Sequence, residues 1–280
     1  DLKPADISFF AHGTTVVINA LTERKGAKTG LITTKGFRDI LEITRGNRPD
    51  IFNFYFSKPE PFVPRHLRRE VEERTEYTGE ILTQLKLGDL AAIVDDFKSE
   101  DVTAVAICFL HSYANPENEI RAAEELSSLW PEVSVVASHR ISREWREYER
   151  TSTAVLAAYV HPVINRYLDS LEGRLRSEGF TGQPFVMQSN GGIATIAAGR
   201  ANPITMVESG PASGVLGAVA LGEMIGEPNI IALDIGGTTA KCSLIEDGKA
   251  VLTTDYKIDW SRTKAGYPIK TPVIDIVEIG

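Results

Sequence analysis

Only two of the 280 residues are cysteine, Cys108 and Cys242. Both sit inside apolar runs rather than in a spaced framework, so a disulfide scaffold is excluded. The pair reads as buried thiols in a reducing, cytoplasmic compartment. Basic residues are also in deficit: 30 Lys and Arg against 38 Asp and Glu leave a net charge of −8. Nucleic-acid binders need basic patches, so no nucleic-acid partner is expected. No apolar run approaches the roughly 20 residues of a membrane helix, and no membrane partner is expected either. Several catalytic signatures are missing: the Gly-x-Ser-x-Gly elbow, His-Glu-x-x-His, Cys-x-x-Cys and the Walker Gly-x-x-x-x-Gly-Lys-Ser/Thr loop. No internal repeat or low-complexity tract is present.

What is present fits a folded α/β chain. Apolar content of 42% and charged content of 24% are ordinary for a globular protein, and the length suits one large core or two moderate ones. The most informative stretch is residues 230–246. An apolar strand ends in Asp234, turns through Gly236, Gly237, Thr238 and Thr239, and returns from Lys241 onward. Glycines let bare backbone N–H groups approach a ligand where a Cβ would block them. The threonines add hydroxyls, and Asp234 offers a hard oxygen to a hydrated magnesium ion. This is the pattern of a hairpin that holds nucleotide phosphates; a plain β-hairpin with a Gly-Gly turn has the same local sequence. Lys241 suits a point-charge phosphate ligand and equally an exposed strand lysine.

Upstream, residues 208–222 read as a small-residue helix, with Ser209 as N-cap and Pro211 in the first turn. Gly210, Gly214, Gly217 and Ala218 share one face. Each glycine costs roughly 1 kcal/mol of helix stability, so several together call for close packing.

A small-residue helix followed by strand-Asp-x-Gly-Gly-Thr-strand resembles the hinge helix and second phosphate hairpin of the actin, sugar-kinase and heat-shock chaperone ATPases. A second resemblance, to the hydantoinase A/5-oxoprolinase family, covers nearly the whole chain. It rests on His12-Gly13-Thr14-Thr15, Thr33-Thr34-Lys35-Gly36-Phe37-Arg38-Asp39, Arg45-Gly46-Asn47-Arg48-Pro49-Asp50, Phe109-Leu110-His111-Ser112-Tyr113, Glu147-Tyr148-Glu149-Arg150-Thr151, Met187-Gln188-Ser189-Asn190-Gly191-Gly192 and Ser209-Gly210-Pro211-Ala212. The resemblance implies an α/β fold of ribonuclease-H-like, actin-like ATPase lobes. Residues 1–225 would be the remainder of a first lobe with insertions, ending in the hinge helix; residues 226–280 would open a second lobe. The chain starts on Asp1 and stops on a strand. It is therefore expected to be the middle of a longer protein, carrying the second phosphate hairpin without the first. Many members of the family carry Asp where this hairpin has Lys241.

The resemblance further implies ATP and Mg2+ as cofactors, a small cyclic amide or ketone as substrate, a HyuB-like partner subunit or domain, and an oligomer. Asp234 would be the catalytic residue and hold the magnesium through water, with Gly236, Gly237, Thr238, Thr239 and Lys241 around the phosphates. Substrate candidates are His12, Thr14, Thr15, Arg45, Arg48, Asn190, Gly191 and Gly192. Thr14 or Thr15 would cap a helix over residues 16–25, leaving N–H groups that favour an anion. Arg45 and Arg48 suit bidentate clamps but also an ordinary surface.

Elsewhere, strands are expected at residues 29–34, 102–110 and 133–137, and helices at 36–44, 90–97, 116–129 and 144–175, the last broken or kinked near Pro162. Residues 45–66 read as an aromatic, proline-stiffened loop. His111 falls at a strand's carboxyl end, where α/β sheets place ligands, though a structural histidine fits as well. Glu147 to Thr151 suit an ion-pair lattice along one helix. Two functions follow: ATP-dependent activation of a carbonyl, as hydrolase or carboxylase subunit, or an actin-like nucleotide switch.

Overall fold

The computed structural model describes residues 3–46, 50–235, 240–261 and 263–279. Its contacts group the chain into two compact units. One joins Asp1–Ala20, Ile164–Tyr256 and Thr271–Gly280; the other joins Leu21–Val163 and Lys257–Lys270.

The second unit is built on a four-stranded sheet in the order Arg68–Val71, Thr29–Thr34, Ala104–Cys108, Ser134–Ala137. Every neighbouring pair in it is parallel. All six residues of Thr29–Thr34 and all five of Ala104–Cys108 are buried. Strands covered on both faces read as such unbroken apolar runs, which is why the sequence located them. Helices Gly88–Ser99 and Glu117–Leu129 follow their strands, as parallel connections require. Leu90, Phe97 and Leu126 are fully buried on them. Gly30 is set by contact: a Cβ there would lie 2.7 Å from the Phe97 ring.

Charge inside this unit is matched by hydrogen bonds. Glu119, fully buried, accepts from Phe109 N (2.8 Å), Ser138 Oγ (2.7 Å), His139 N (3.0 Å) and His139 Nδ1 (2.7 Å). Burial alone would push its pKa up. The bonds from His139, Ser138 and the backbone outweigh that and hold it below the ordinary carboxylate value. Arg150 donates to Phe109 O (2.5 Å), Glu144 O (2.9 Å) and Ser138 Oγ (3.2 Å). The lattice expected from Glu147 to Thr151 is thus split: Arg150 serves carbonyls, while Glu147 and Glu149 pair with Arg45.

One expectation needs correction here and one is narrowed. Residues 36–44 form turns and only a four-residue helix, Ile40–Ile43, because Gly36 adopts φ +91° and starts a turn rather than a helix. The helix Glu147–Ser177 runs without a break through Pro162. Proline inside a helix costs about 3 kcal/mol, offset here by the wholly buried stretch 151–160.

The first unit holds two larger sheets and a short antiparallel pair, Leu252–Thr253 with Val273–Ile274. Phe9–His12 runs parallel to Gln183–Met187, which turns back antiparallel into Ile193–Thr195. In the other, Ile230–Ile235 and Ala240–Glu246 are antiparallel from Ile230↔Ile245 to Ile235↔Ala240, and Val277–Ile279 pairs with the outer side of Ala240–Glu246. The expected hairpin is present; its turn, residues 236–239, lies outside the described residues. Helix Ser209–Ile225 packs through Ala212 and Val215 against Ile245 of this sheet and against Ile274 of the short strand pair. Among the described residues, no helix is long and apolar enough to cross a membrane.

Candidate functional site

Alternation along the hairpin sends Ile230, Ala232 and Asp234 to one face, opposite Ile245, Ser243 and Lys241. Ile230 and Ala232 pack toward the 209–225 helix, and the same face ends in Asp234 and Lys241. Between helix and sheet lies a cleft of about 350 Å3, lined by Pro211, Gly214 and Ala218 on the helix and by Asp234, Lys241 and Ser243 on the sheet. Gly214 has nothing within 4 Å of a built Cβ, so that stretch of the helix opens onto the cleft. Small residues there therefore make room rather than let another backbone approach.

Close approach does occur at the helix start. A Cβ on Gly210 would meet Thr15 Cγ2 at 3.1 Å, and one on Gly13 would meet Ser213 Oγ at 2.4 Å. The His12-Gly13-Thr14-Thr15 loop docks there through Thr14 N to Ser209 Oγ (3.1 Å), Ser209 Oγ to Thr14 O (2.9 Å) and Gly210 N to Thr14 O (3.2 Å). Ser209 is thus the first helical residue, its hydroxyl committed to the loop, and Glu208 takes the N-cap position. Thr14 is buried and its Oγ1 accepts from Val16 N at 3.2 Å, capping a helix that ends at Thr22. Thr15 is exposed. His12 is half-buried, bonded to the Tyr167 hydroxyl at 2.5 Å, and burial lowers its pKa.

Lys241 is not the exposed strand lysine of the second alternative. Its ammonium donates to Glu208 Oε2 at 3.0 Å, and only 15% of its side chain is exposed. Glu208, 2% exposed, also accepts from the Tyr256 hydroxyl at 2.5 Å. The backbone N–H of Glu208 donates to Ser189 Oγ (2.9 Å), and Ser189 O accepts from Ile274 N (2.7 Å). Ser189 opens the Asn190-Gly191-Gly192 turn, so one buried knot ties that turn to the hairpin. In the turn, Gly191 takes φ +85° and Asn190 Oδ1 accepts from Gly192 N at 2.9 Å. The Asn190 carbonyl is thereby used locally.

The first unit therefore gathers His12, Thr14, Thr15, Asn190, Gly191, Gly192, Asp234 and Lys241. Arg45 belongs to the second unit, where Glu149 takes its guanidinium (Nε to Oε1 2.9 Å). Arg48 and Gly236 to Thr239 lie outside the described residues. His111 Nδ1 bonds Thr75 O at 2.8 Å, the structural alternative. Cys242 lines the cleft and is only partly buried, unlike Cys108. Glu208 and Tyr256 were not singled out from the sequence. A lysine on the apolar face of the hairpin calls for a counter-charge, and Glu208, adjacent to Ser209-Gly210-Pro211, was the available signal; Tyr256 left none.

No group of three or more His, Cys, Asp or Glu able to hold a metal occurs among the described residues. Asp234 is exposed at the end of its strand. One accessible carboxylate fits a magnesium ion that keeps most of its waters and leans on substrate phosphates, not a protein cage.

Comparison with known proteins gives a consistent placement. The profile of the hydantoinase/oxoprolinase N-terminal region matches residues 1–129, and the hydantoinase/oxoprolinase profile matches residues 150–280. An uncharacterized protein of Methanocaldococcus jannaschii is 38% identical over 98% of this chain and 42% of its own length. The crystal structure of an ATP-dependent caprolactamase from Pseudomonas jessenii superposes with a TM-score of 0.86 and 33% identity, over 99% of this chain and 40% of that one. A nucleotide-free acetone carboxylase, solved in work on ATP-dependent acetone carboxylation, gives 0.86 and 29% over 99% and 39%. The chain thus spans about two fifths of the length of these three relatives. With both profiles accounting for nearly all of it, the chain belongs to the hydantoinase/oxoprolinase family.

Proposed function

We propose that this chain is the phosphate-holding part of an ATP-dependent enzyme that opens cyclic amides of the hydantoin, N-methylhydantoin or 5-oxoproline type. The observation that carries the reading is the antiparallel hairpin Ile230–Ile235/Ala240–Glu246, which brings Asp234 and Lys241 together at the mouth of the cleft. The likeness to an ATP-dependent caprolactamase supports the substrate class.

An amide carbonyl resists water because nitrogen donates electron density into it. Attack of the carbonyl oxygen on the γ-phosphorus, with ADP leaving, turns that oxygen into a leaving group. Water then adds to the carbon, the tetrahedral adduct expels the ring nitrogen so that the C–N bond breaks, and a second water hydrolyses the acyl phosphate left behind to carboxylate and free phosphate. The protein's part is positioning and charge neutralisation. Asp234 would hold the hydrated magnesium, Gly236 to Thr239 would present N–H and hydroxyl donors to the phosphates, and Lys241 would add a fixed positive charge. The magnesium supplies Lewis-acid charge stabilisation when bound. His12, Thr14 and Thr15, on the docked loop, and Asn190, Gly191 and Gly192, on the knotted turn, are the substrate-side candidates; Arg45 and Arg48 are kept as weaker ones. Residues 1–225 would belong to the first actin-like lobe and 226–280 would open the second. A HyuB-like subunit or domain would complete the cytoplasmic, oligomeric enzyme.

The likeness to acetone carboxylase favours a second reading, an ATP-using carboxylase subunit with a small ketone as substrate. ATP hydrolysis by the whole protein, measured with lactams, hydantoins and small ketones in turn, separates the two. Stimulation by cyclic amides supports the first and stimulation by ketones the second. Turnover indifferent to every candidate would leave only a nucleotide switch.

A further inference from the structure

Two carboxylates compete for one ammonium in the first unit. Asp234 lies directly across the hairpin from Lys241, where cross-strand side chains approach closely and opposite charges attract. Left to that pairing, the lysine would neutralise the carboxylate that a hydrated cation needs. The structure instead places Lys241 Nζ 3.0 Å from Glu208 Oε2, while Asp234 stays exposed.

Glu208 is built for this. It is 2% exposed, its second oxygen accepts from the Tyr256 hydroxyl at 2.5 Å, and its own N–H is fixed on Ser189 Oγ at 2.9 Å. Ser189 is itself fully buried and donates its hydroxyl to Thr205 O at 2.8 Å. A flexible four-carbon stem is thus steered by a carboxylate with little freedom of its own. A lysine directly across from Asp234 is what makes the device necessary: an uncharged residue there would need no diversion of charge.

We infer that Glu208 is a positioning residue that draws the ammonium of Lys241 away from Asp234, keeping Asp234 available to a divalent cation and the ammonium directed at the cleft. The inference rests on the phosphate-hairpin reading proposed above. It assigns Glu208 and Tyr256 no contact with the cation or the nucleotide; both act through Lys241.

The test titrates the whole protein with Mn2+, alone and with a non-hydrolysable ATP analogue, reading bound Mn2+ by electron paramagnetic resonance. Glu208→Gln should weaken Mn2+ binding about tenfold, the size of one nearby positive charge turned onto a partly screened carboxylate. Tyr256→Phe should weaken it about twofold, since it loosens Glu208 without removing its charge. With Mn2+ alone, Lys241→Met should not weaken binding, and the double variant Glu208→Gln/Lys241→Met should match Lys241→Met alone. That rescue is what a merely structural role would not give, and it is a coupling that a double-mutant cycle isolates. Should Glu208→Gln fail to fold, the double variant and Lys241→Met still give the comparison; different Mn2+ affinities between them would overturn the inference. A wild-type-like Glu208→Gln overturns it while the hairpin reading stands. A wild-type protein that binds neither Mn2+ nor the analogue removes the hairpin reading, and this inference with it.

Discussion

Glu119 and Asp234 are both acidic residues in strand-rich surroundings, and the structure treats them oppositely. Glu119, in the parallel-sheet unit, is fully buried and accepts four hydrogen bonds. Asp234, in the hairpin unit, is exposed at the mouth of a cleft. A buried carboxylate with every lone pair answered contributes to the fold and has little left for a ligand. An exposed one at a cleft contributes little to the fold and is free to change partners. Glu208 stands between these cases, buried like Glu119 but spending its charge on a lysine that reaches the cleft. Burial of a charge therefore separates scaffold from site only once its partners are known.

The comparison breaks first if Glu119 is dispensable. Glu119→Ala strips acceptors from Phe109 N, Ser138 and His139, and should cost about 3–5 kcal/mol in urea unfolding. Turnover per folded molecule should be unchanged. Because the folded pKa of Glu119 is held below the ordinary carboxylate value, its stabilisation is complete above the unfolded pKa and is lost as pH falls through the lowered value. The wild type should lose stability in that acid range and the variant should lose less.

Asp234→Asn gives the mirror image. In the whole enzyme kcat should fall by about 10² or more, since the lost charge matters mainly in the transition state. Unfolding free energy should stay within about 0.5 kcal/mol of wild type, as for an exposed side chain. Near-normal kcat at saturating magnesium would mean that the hairpin is structural.

How much of this was readable in advance differs between the two units for a physical reason. Strands buried on both faces announce themselves as apolar runs, so 29–34 and 104–108 were legible. The hairpin strands were legible because an apolar run ending at Asp234 and its return from Lys241 lie close together in the sequence. Residues 36–44 misled because Ile40 and Leu41 kept a helical apolar spacing while Gly36 broke the helix start. The 209–225 helix was found, yet the purpose of its glycines was divided in a way no spacing encodes: Gly210 receives a loop, whereas Gly214 borders a cleft. Glu208 and Tyr256 stayed hidden because a long-range ion pair leaves no local pattern. Tyr256 is 48 residues from the carboxylate it serves.

Glycines sharpen the contrast at smaller cost. Gly30→Ala should destabilise by about 1–3 kcal/mol, because the added methyl meets the Phe97 ring at 2.7 Å inside a packed core. Gly214→Ala should do the reverse, stabilising by up to about 1 kcal/mol through helix propensity, since nothing lies within 4 Å of the new Cβ. If the cleft holds nucleotide, the same methyl should weaken analogue binding, so stability and affinity move in opposite directions. A Gly214→Ala protein that gains stability and binds as well as wild type would show that this wall of the cleft touches no ligand.

The smallest effect concerns the two thiols, one in each unit. Cys108 is 2% exposed, and burial pushes its pKa above the ordinary thiol value, so little thiolate forms and little reagent arrives. Cys242 is only partly buried. Brief alkylation of the native whole protein, mapped by mass spectrometry, should label Cys242 ahead of Cys108. Both should label alike after denaturation. A non-hydrolysable ATP analogue with magnesium should leave both labelling rates little changed, because Cys242 pairs with Leu233 and its thiol alternates onto the face of the hairpin away from the cleft. Strong protection of Cys242 alone would put its thiol on the cleft side and break that alternation.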